Sequence, residues 1–409
     1  MSGVRSIPSR PRGIWLVALL SLSLAACGGP TVTAPRPAPQ APQEAAPPPP
    51  PEAAAPAPVQ PAPLPPGGKV PVALLLPLSG PSAALGQAML DAALMAVYDV
   101  GADQIQLKPH DTGAGPQQAA DAARAAVADG ARLIVGPLLA GDVEAVKPIA
   151  AAANIPVLAF STTTSLAGGG TYLLSFQVKQ EIARVVAYAH AHGANRFAVF
   201  APRTPYGELA KAAMQDAVAA NGAVLSVSAD YEPRAADIGD AARRFVHQGV
   251  DYDALLLPDG GARLKSLAPY LAYYKIDTDK IHLLGTGLWD DSSLGTEATL
   301  VHGWYAAPDP QGRASFVRRF TEAEGRAPPR LATLAYDATA LAAVLAKNPA
   351  GPDYSASSLT NPSGFVGLDG VFRLNQDGLV ERGLAVLEVE RGGPKVIDPA
   401  PQSFAPPTQ

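Results

Sequence analysis

The sequence has very little cysteine and little charge. Cys27 is the one cysteine among 409 residues, so an intramolecular disulfide, a four-cysteine zinc site and a Cys/His zinc site are excluded. Charged residues make up 16% of the chain, and the net charge is -5. No basic stretch is interleaved with aromatic residues, and we therefore expect no nucleic-acid partner.

Motifs that mark common enzymes are also missing. Residues 136–142 have glycines spaced as in a phosphate-binding loop, but they end in Asp142 where that loop requires lysine. Residues 80–84 lack the last glycine of a nucleophile elbow. His190 and His192 are two apart on a predicted helix and so point to different faces. We therefore expect no catalytic residues, no cofactor and no metal site.

The first 68 residues differ in composition from the rest of the chain. Three arginines precede an apolar run, 14–26, which is shorter than the roughly 20 residues needed to span a bilayer. This pattern predicts that residues 1–27 are a signal peptide. Residues 28–68 are rich in proline and alanine, which predicts a disordered tether with a reach of about 100 Å.

The signal peptide ends in Leu24-Ala25-Ala26-Cys27, which resembles the bacterial lipobox. The resemblance implies that Cys27 is lipidated and becomes the new N-terminus of a periplasmic, lipid-anchored protein. Gly28 stands where an aspartate often retains such lipoproteins in the inner membrane, which favours the outer membrane. An ordinary secretory signal with a chance cysteine is the alternative.

From Lys69 onward, short apolar runs alternate with segments of helical period. Apolar runs of this length are typical of buried strands, and the alternation indicates parallel strands with crossover helices. Two successive blocks of this kind predict an α/β fold with two lobes, each a mostly parallel sheet flanked by helices.

Ligands of such sheets bind beyond the carboxyl ends of the strands. In this chain those ends carry residues 77–80, 111–113, 136–138 and 161–163. The sequence therefore predicts a cleft at this edge, and it makes Ser79 a candidate ligand-binding residue.

Short motifs accompany these strand ends and the helix starts that follow them. In chain order they are Leu78-Ser79-Gly80 with Gly86 and Ala92, Asp111-Thr112, Asp129-Gly130, Gly136-Pro137, Ile155-Pro156-Val157, Ser161-Thr162-Thr163 and Thr204-Pro205-Tyr206-Gly207. Together they resemble the type 1 periplasmic binding proteins of the leucine/isoleucine/valine-binding class, over roughly residues 70–389. The resemblance implies a clamshell whose lobes are joined by three crossings, near Phe176, Ala306 and Lys347.

These crossings divide the chain into discontinuous domains. We expect lobe 1 over 69–177 plus 307–347, lobe 2 over 178–306 plus 348–393, and a disordered tail over 394–409. Within lobe 2, residues 371–374 and 384–389 are expected to form a hairpin around Asn375-Gln376-Asp377-Gly378.

The latter half has a closer resemblance. Residues 284–291, 303–308 and 334–338 are similar to the penicillin-binding-protein activator lipoproteins, and the lipobox and tether fit that group. The resemblance implies a non-catalytic envelope lipoprotein that activates or regulates a penicillin-binding protein, a peptidoglycan synthase. The alternative is the substrate-binding lipoprotein of an ABC transporter for an amino acid or similar small polar ligand, with an ABC permease as its partner.

The resemblance also implies ligand-binding residues. Amino-acid binders of this fold hold the α-carboxylate with Ser/Thr hydroxyls and backbone N–H groups. Ser161, Thr162 and Thr163 lie in the matching loop, Leu138 forms a neighbouring wall, and Tyr206 is placed to close over a ligand from the second lobe. Helix capping and core packing are the alternatives for these side chains.

The acid that pairs with the ammonium group in amino-acid receptors is missing from residues 285–288. Asp259 or Asp290 could replace it, but each is more readily a solvated acid of a loop. This departure argues against the binding of free amino acids.

Overall fold

The structure is a computed structural model that describes residues 68–404. The predicted signal peptide, Cys27 and nearly all of the predicted tether lie outside the described residues. No helix within the described part combines the length and the hydropathy needed to cross a membrane.

The first lobe is built on a five-stranded sheet in which all neighbouring strands are parallel. Its strands are β1 (Val70–Leu76), β2 (Ile105–Asp111), β3 (Leu133–Val135), β4 (Val157–Ala159) and β5 (Thr171–Leu173), in the spatial order β2-β1-β3-β4-β5. The helices between them are α1 (Ala83–Asp99), α2 (Pro116–Ala128) and α3 (Ala140–Ala152). The carboxyl ends of the strands therefore meet at one edge of the sheet.

The chain then crosses to the second lobe and repeats the alternation. The helices are α4 (Val178–Ala191), α5 (Pro205–Ala220), α6 (Ala235–Val246) and α7 (Gly261–Tyr273). The strands are β6 (Arg196–Pro202), β7 (Val224–Tyr231), β8 (Ala254–Leu256), β9 (His282–Gly285) and β10 (Trp304–Ala307), and their pairings are parallel. Helix α5 begins at the proline that follows Thr204, whose hydroxyl accepts the N–H of Gly207 at 3.1 Å.

After β10 the chain returns to the first lobe. It forms α8 (Pro310–Glu324), α9 (Ala332–Ala346), the short α10 (Ala356–Leu359) and an antiparallel sheet of β11 (Phe365–Gly367), β12 (Gly370–Leu374) and β13 (Val380–Arg382). Helix α9 packs on α1. Phe372, Leu374 and Val380 are buried in the first-lobe core, so this small sheet belongs to that lobe.

The last two strands, β14 (Ala385–Glu388) and β15 (Lys395–Asp398), complete the second sheet. Its spatial order is β15-β14-β10-β9-β8-β6-β7, and β14 pairs antiparallel with both of its neighbours. The chain thus passes between the lobes near Phe176, Pro308 and Gly383.

The predicted two-lobed α/β architecture is confirmed, but the predicted division after Lys347 is wrong. Residues 348–383 belong to the first lobe because the apolar side chains of β12 and β13 fill its core. Strand β12 pairs with β13, whereas the segment predicted to be its partner forms β14 of the second sheet. Part of the predicted disordered tail is strand β15.

Candidate functional site

A cavity of about 430 Å³ lies between the two lobes. The wall is formed by the loops after β4 and β9, by the first two crossings and by the residues at the starts of helices α4, α5 and α9. The apolar part of the wall consists of Phe176, Val178, Leu288, Ala307, Pro308 and Leu331. The polar side chains that line the cavity are Thr162, Glu181, Tyr206, Asp290 and Arg330.

Glu181 lies in the first turn of α4, and its side chain is almost fully buried, with the residue 6% exposed. Its Oε2 accepts the N–H of Gly287 at 2.8 Å. Burial raises the pKa of Glu181 to about 7, against the opposing effects of this N–H and of the charge on Arg330. The cavity therefore contains a carboxyl group that changes its charge near neutral pH.

Tyr206 contributes its ring from the first turn of α5. Its hydroxyl lies 2.8 Å from Oγ1 of Thr286, in the loop after β9. Burial is the main cause that raises the pKa of Tyr206, and the nearby charge of Glu181 adds to it. The hydroxyl is therefore protonated and ties α5 to the cavity-lining loop.

Asp290 and Arg330 of the cavity wall belong to an inter-lobe charge cluster, which we define as Asp290, Arg313, Arg330 and Asp369. The carboxylate of Asp290, from the second lobe, is 2.6 Å from Nη2 of Arg313 and 3.3 Å from Nε of Arg330, both of which belong to the first lobe. Arg330 also pairs with the fully buried Asp369 at 2.9 Å. The cluster therefore joins the two lobes by ion pairs that are largely withdrawn from water.

Phe176, at the first crossing, packs against two of the arginines. The guanidinium carbon of Arg330 lies 4.2 Å from the centre of its ring, and that of Arg382 lies 5.0 Å away. Arg382 is buried and donates to the carbonyl oxygen of Ser175 at 3.1 Å. These cation–π contacts fix the ring that forms one wall of the cavity.

The loop after β9 is held in place by Trp289, which is 1% exposed. Its indole N–H donates to the carbonyl oxygen of Leu257 at 3.2 Å. A Cβ on Gly285 would lie 2.1 Å from the ring, and one on Gly303 would lie 2.6 Å from it. Both positions therefore need glycine to admit the ring that anchors this loop.

The structure brings three of the predicted site residues to the cavity, namely Thr162, Tyr206 and Asp290. Asp290 was expected to be a solvated loop acid, and that expectation is wrong because its side chain is 4% exposed and paired with two arginines. It is consequently not free to pair with a ligand ammonium group.

Five other predicted site residues lie outside the cavity lining. Ser79 is exposed, and its backbone N–H donates to Oδ1 of Asp111 at 3.2 Å. Leu138 is 8% exposed and packs in the first-lobe core. Ser161 is buried and its Oγ accepts the N–H of Thr163 at 3.2 Å, so these two residues form a local turn.

Asp259 is the fifth predicted site residue outside the cavity lining. It is 2% exposed and accepts the hydroxyl of Tyr231 at 2.6 Å and the guanidinium of Arg263 at 2.9 Å. The expectation of a solvated loop acid is therefore wrong here as well, and Asp259 serves the packing of the second lobe.

Sequence reasoning missed Glu181, Phe176 and Arg330 as site residues. Glu181 carried a usable signal, because it lies on the same face of α4 as the buried Val178, Ile182 and Val185. A carboxylate on an apolar helix face requires a partner or a role. Arg330 follows two prolines in a connection, and nothing in its local pattern indicates the cleft.

Residues 68–404 contain no group of three or more His, Cys, Asp or Glu side chains that could hold a metal ion. The cavity combines apolar walls, one carboxyl group of raised pKa and a paired guanidinium.

The sequence of residues 69–394 matches the family described as periplasmic binding protein. The fold is similar to that of a branched-chain amino acid ABC transporter periplasmic ligand-binding protein from Burkholderia xenovorans, with a TM-score of 0.69 and 17% identity over 83% of this chain and 97% of that one. It is also similar to a solute-binding protein of an ABC transporter from Rhodopseudomonas palustris in complex with 3,4-dihydroxybenzoic acid. There the TM-score is 0.61, with 18% identity over 82% of this chain and 97% of that one.

Among curated proteins, RP748 from Rickettsia prowazekii is 23% identical over 221 residues, which is 52% of this chain. The aligned part spans 59% of the length of that relative. The resemblance to type 1 periplasmic binding proteins of the leucine-binding class is confirmed by the family match and the similar folds. The closer resemblance to penicillin-binding-protein activators stays a prediction.

Proposed function

Because the chain belongs to the periplasmic binding protein family, we propose that it is a non-catalytic solute-binding protein that holds a small molecule between its lobes. The observation that carries this proposal is the inter-lobe cavity of about 430 Å³. Small-molecule sites are typically concave, mostly apolar and about 300–1,000 Å³ in volume. The cavity meets each of these criteria, and its few polar groups are suited to orienting a ligand.

Family membership supports a periplasmic location. Lipid anchoring at Cys27 is part of the proposal, and it rests on the lipobox in the sequence. An ABC permease is the proposed partner, since the similar folds include solute-binding proteins of ABC transporters.

Thermal unfolding of the purified protein tests the proposal. We expect one compound in a panel of branched-chain amino acids, hydroxybenzoates and aliphatic amines to raise Tm by a few degrees at 100 times its Kd, which corresponds to about 2.7 kcal/mol. Thr162→Trp places a large ring at the cavity wall and should abolish the shift. Thr164→Trp, in the exposed part of the same loop, is the control and should keep it.

If no compound shifts Tm, or if Thr162→Trp responds like the wild type, the proposal fails. The first outcome would mean that no tested compound binds, whereas the second would mean that a compound binds outside the cavity.

The second candidate function is regulation of a penicillin-binding protein from the outer membrane. A specific observation favours it. Two of the three stretches that resemble activator lipoproteins supply Gly287, Asp290 and Pro308 to the cavity, and the third supplies Asp337 beside Asp369. The predicted tether would give the reach that such a partner requires.

This candidate is tested by capture of membrane penicillin-binding proteins on the immobilised protein, followed by a peptidoglycan polymerisation assay with the captured synthase. Stimulation of polymerisation would support it. Failure to capture any synthase, together with unchanged polymerisation by a purified panel of synthases, would exclude it.

A further inference from the structure

We infer that the inter-lobe cavity selects a small organic amine, a molecule with an apolar body, one protonated nitrogen and no carboxylate, and that Glu181 is the residue which binds the nitrogen. This inference rests on the proposed function, because it names the chemical class of the molecule that the cavity holds.

The first observation is the state of the Glu181 carboxylate. One oxygen, Oε2, accepts the N–H of Gly287, while Oε1 has no hydrogen-bond donor among residues 68–404. None of the ion pairs formed within that part of the chain includes Glu181, although the residue is 6% exposed. Arg330 acts on Glu181 through its charge but forms no direct ion pair with it, and a buried carboxylate without a direct counter-ion is costly. A cation that enters with a ligand would remove this cost.

The second observation is that the other carboxylate at the cavity is already neutralised. Asp290 lies within 2.6 Å of Arg313 and 3.3 Å of Arg330. Asp369, directly behind the wall, is paired with Arg330. Glu181 is therefore the acidic side chain that a ligand cation can approach without breaking an existing pair.

The third observation concerns Arg330, the positively charged side chain of the cavity wall. Arg330 donates to Thr333 at 2.9 Å and Asp369 at 3.1 Å through Nη1, and to Asp290 at 3.3 Å through Nε. A ligand carboxylate would have to compete with Asp290 or Asp369 for this guanidinium. Ser161, the expected carboxylate donor, lies outside the cavity lining, and its Oγ accepts the N–H of Thr163 in a local turn. The site is therefore poorly equipped for an amino acid or an aromatic acid.

The remaining surface is apolar, with Phe176, Val178, Leu288 and Leu331 among its side chains. An alkyl or aromatic body would bury its surface against them. A branched alkyl amine thus matches both parts of the cavity.

The pH dependence of amine binding provides a second test of the inference. The charged groups that act on Glu181 are Arg330 and Asp290, and Tyr206 and the N–H of Gly287 lie beside it. Because Glu181 must be ionised to bind a cation, and an aliphatic amine stays protonated below about pH 10, amine affinity should rise between pH 6 and pH 8.

The experiment is isothermal titration calorimetry of the full chain with three probes that share one branched alkyl body. These are 3-methylbutylamine, leucine and 4-methylpentanoate, which carry a cation, both charges and an anion. We expect the amine to bind at least tenfold more tightly than the other two. Glu181→Gln should weaken amine binding at least tenfold at pH 8 and abolish its rise with pH, whereas Glu208→Gln, on the exposed first turn of α5, should change neither.

Tighter binding of leucine or 4-methylpentanoate than of the amine would overturn the inference and leave the proposed function standing. Absence of binding by all three would overturn the inference, and the wider ligand panel then decides the proposed function separately. If Glu181→Gln fails to fold by circular dichroism, the pH dependence of the wild type decides, and a flat profile would refute the role of Glu181.

Discussion

Gly207 shows how one residue fixes the position of a cavity side chain. It follows Tyr206 in the first turn of α5, and a Cβ at this position would lie 1.9 Å from the carbonyl oxygen of Pro202 at the end of β6. The close approach of this helix start to the strand end therefore depends on the missing side chain. It also sets where the ring of Tyr206 enters the cavity.

We predict that Gly207→Ala lowers the free energy of unfolding by about 1–3 kcal/mol, because the backbone of β6 or α5 must shift to admit the methyl group. Urea denaturation monitored by circular dichroism measures this change. Gly392→Ala is the control, because a Cβ there meets no atom within 4 Å. Equal stabilities of the two variants would show that the contact is not tight in solution.

At the same scale, the sequence located part of the site and missed the rest. Thr162 and Tyr206 follow the ends of strands, and that rule depends only on the order of elements along the chain. Arg330 reaches the cavity because α8 and α9 pack on the first lobe. No local pattern in the sequence indicates this packing. The orientation of Ser161 depends on the hydrogen bond that it accepts from Thr163 in a local turn. The residue types alone do not predict this bond.

At the scale of elements, the inter-lobe charge cluster connects the loop after β9 to α8 and to the connection before α9. Asp290 lies on one lobe, and its two arginine partners lie on the other. Removing one partner of a buried ion pair leaves charges without compensation, which typically costs 3–5 kcal/mol. The lobes should therefore separate more readily when the carboxylate of Asp290 is lost.

We predict that Asp290→Asn lowers the free energy of unfolding by about 3 kcal/mol and increases the radius of gyration of the ligand-free protein in small-angle X-ray scattering. Asp291→Asn is the matched control, because Asp291 accepts the N–H of Ser293 within the same lobe and an asparagine can still do so. An unchanged radius of gyration in Asp290→Asn would mean that other contacts hold the lobes together.

The elements themselves were predictable where they were long. Helices α4, α5 and α9 have 14, 16 and 15 residues, which is long enough for a helical period to show in the sequence. Strand β13 has only three residues, among them the buried Arg382, so it shows no apolar pattern. The longer apolar segment after it is therefore the partner of β12 that the sequence predicts, although this segment pairs with β10.

At the scale of the whole molecule, stability should depend on pH through Glu181. Its pKa is about 7 in the folded protein and has an ordinary value of 4.5. The folded state therefore holds more protons than the unfolded state between these values, and stability falls as pH rises through this window. The full effect is about 3 kcal/mol.

We predict that Glu181→Gln removes this fall, so that the difference in unfolding free energy between variant and wild type grows from pH 5 to pH 8. Denaturant titrations at several pH values measure it. The difference is diagnostic because burial lowers the pKa of His110 and His282, which act in the opposite direction in both proteins. Parallel curves for the two proteins would contradict the prediction.

The sequence does not show which lobe each segment joins, because this depends on the packing of the whole molecule. A crossing is defined by which core the following strands enter, and β12 and β13 join the first-lobe core across about 200 residues of sequence separation. Helical or strand period says nothing about that choice. The order of strands is encoded locally, whereas the assignment of the last crossing is not.

Finally, the placement of Trp289 gives the protein an optical reporter. The sequence has three tryptophans, of which Trp289 and Trp304 lie in the described region. The indole of Trp289 is shielded from water and lies one residue beyond the Gly287–Leu288 wall, while Trp304 stacks on His282 at 4.0 Å. In the Trp304→Phe variant of the protein without its predicted signal peptide, which contains Trp15, tryptophan emission would come from Trp289 alone. Its wavelength and lifetime would report changes at the cavity wall without any attached dye.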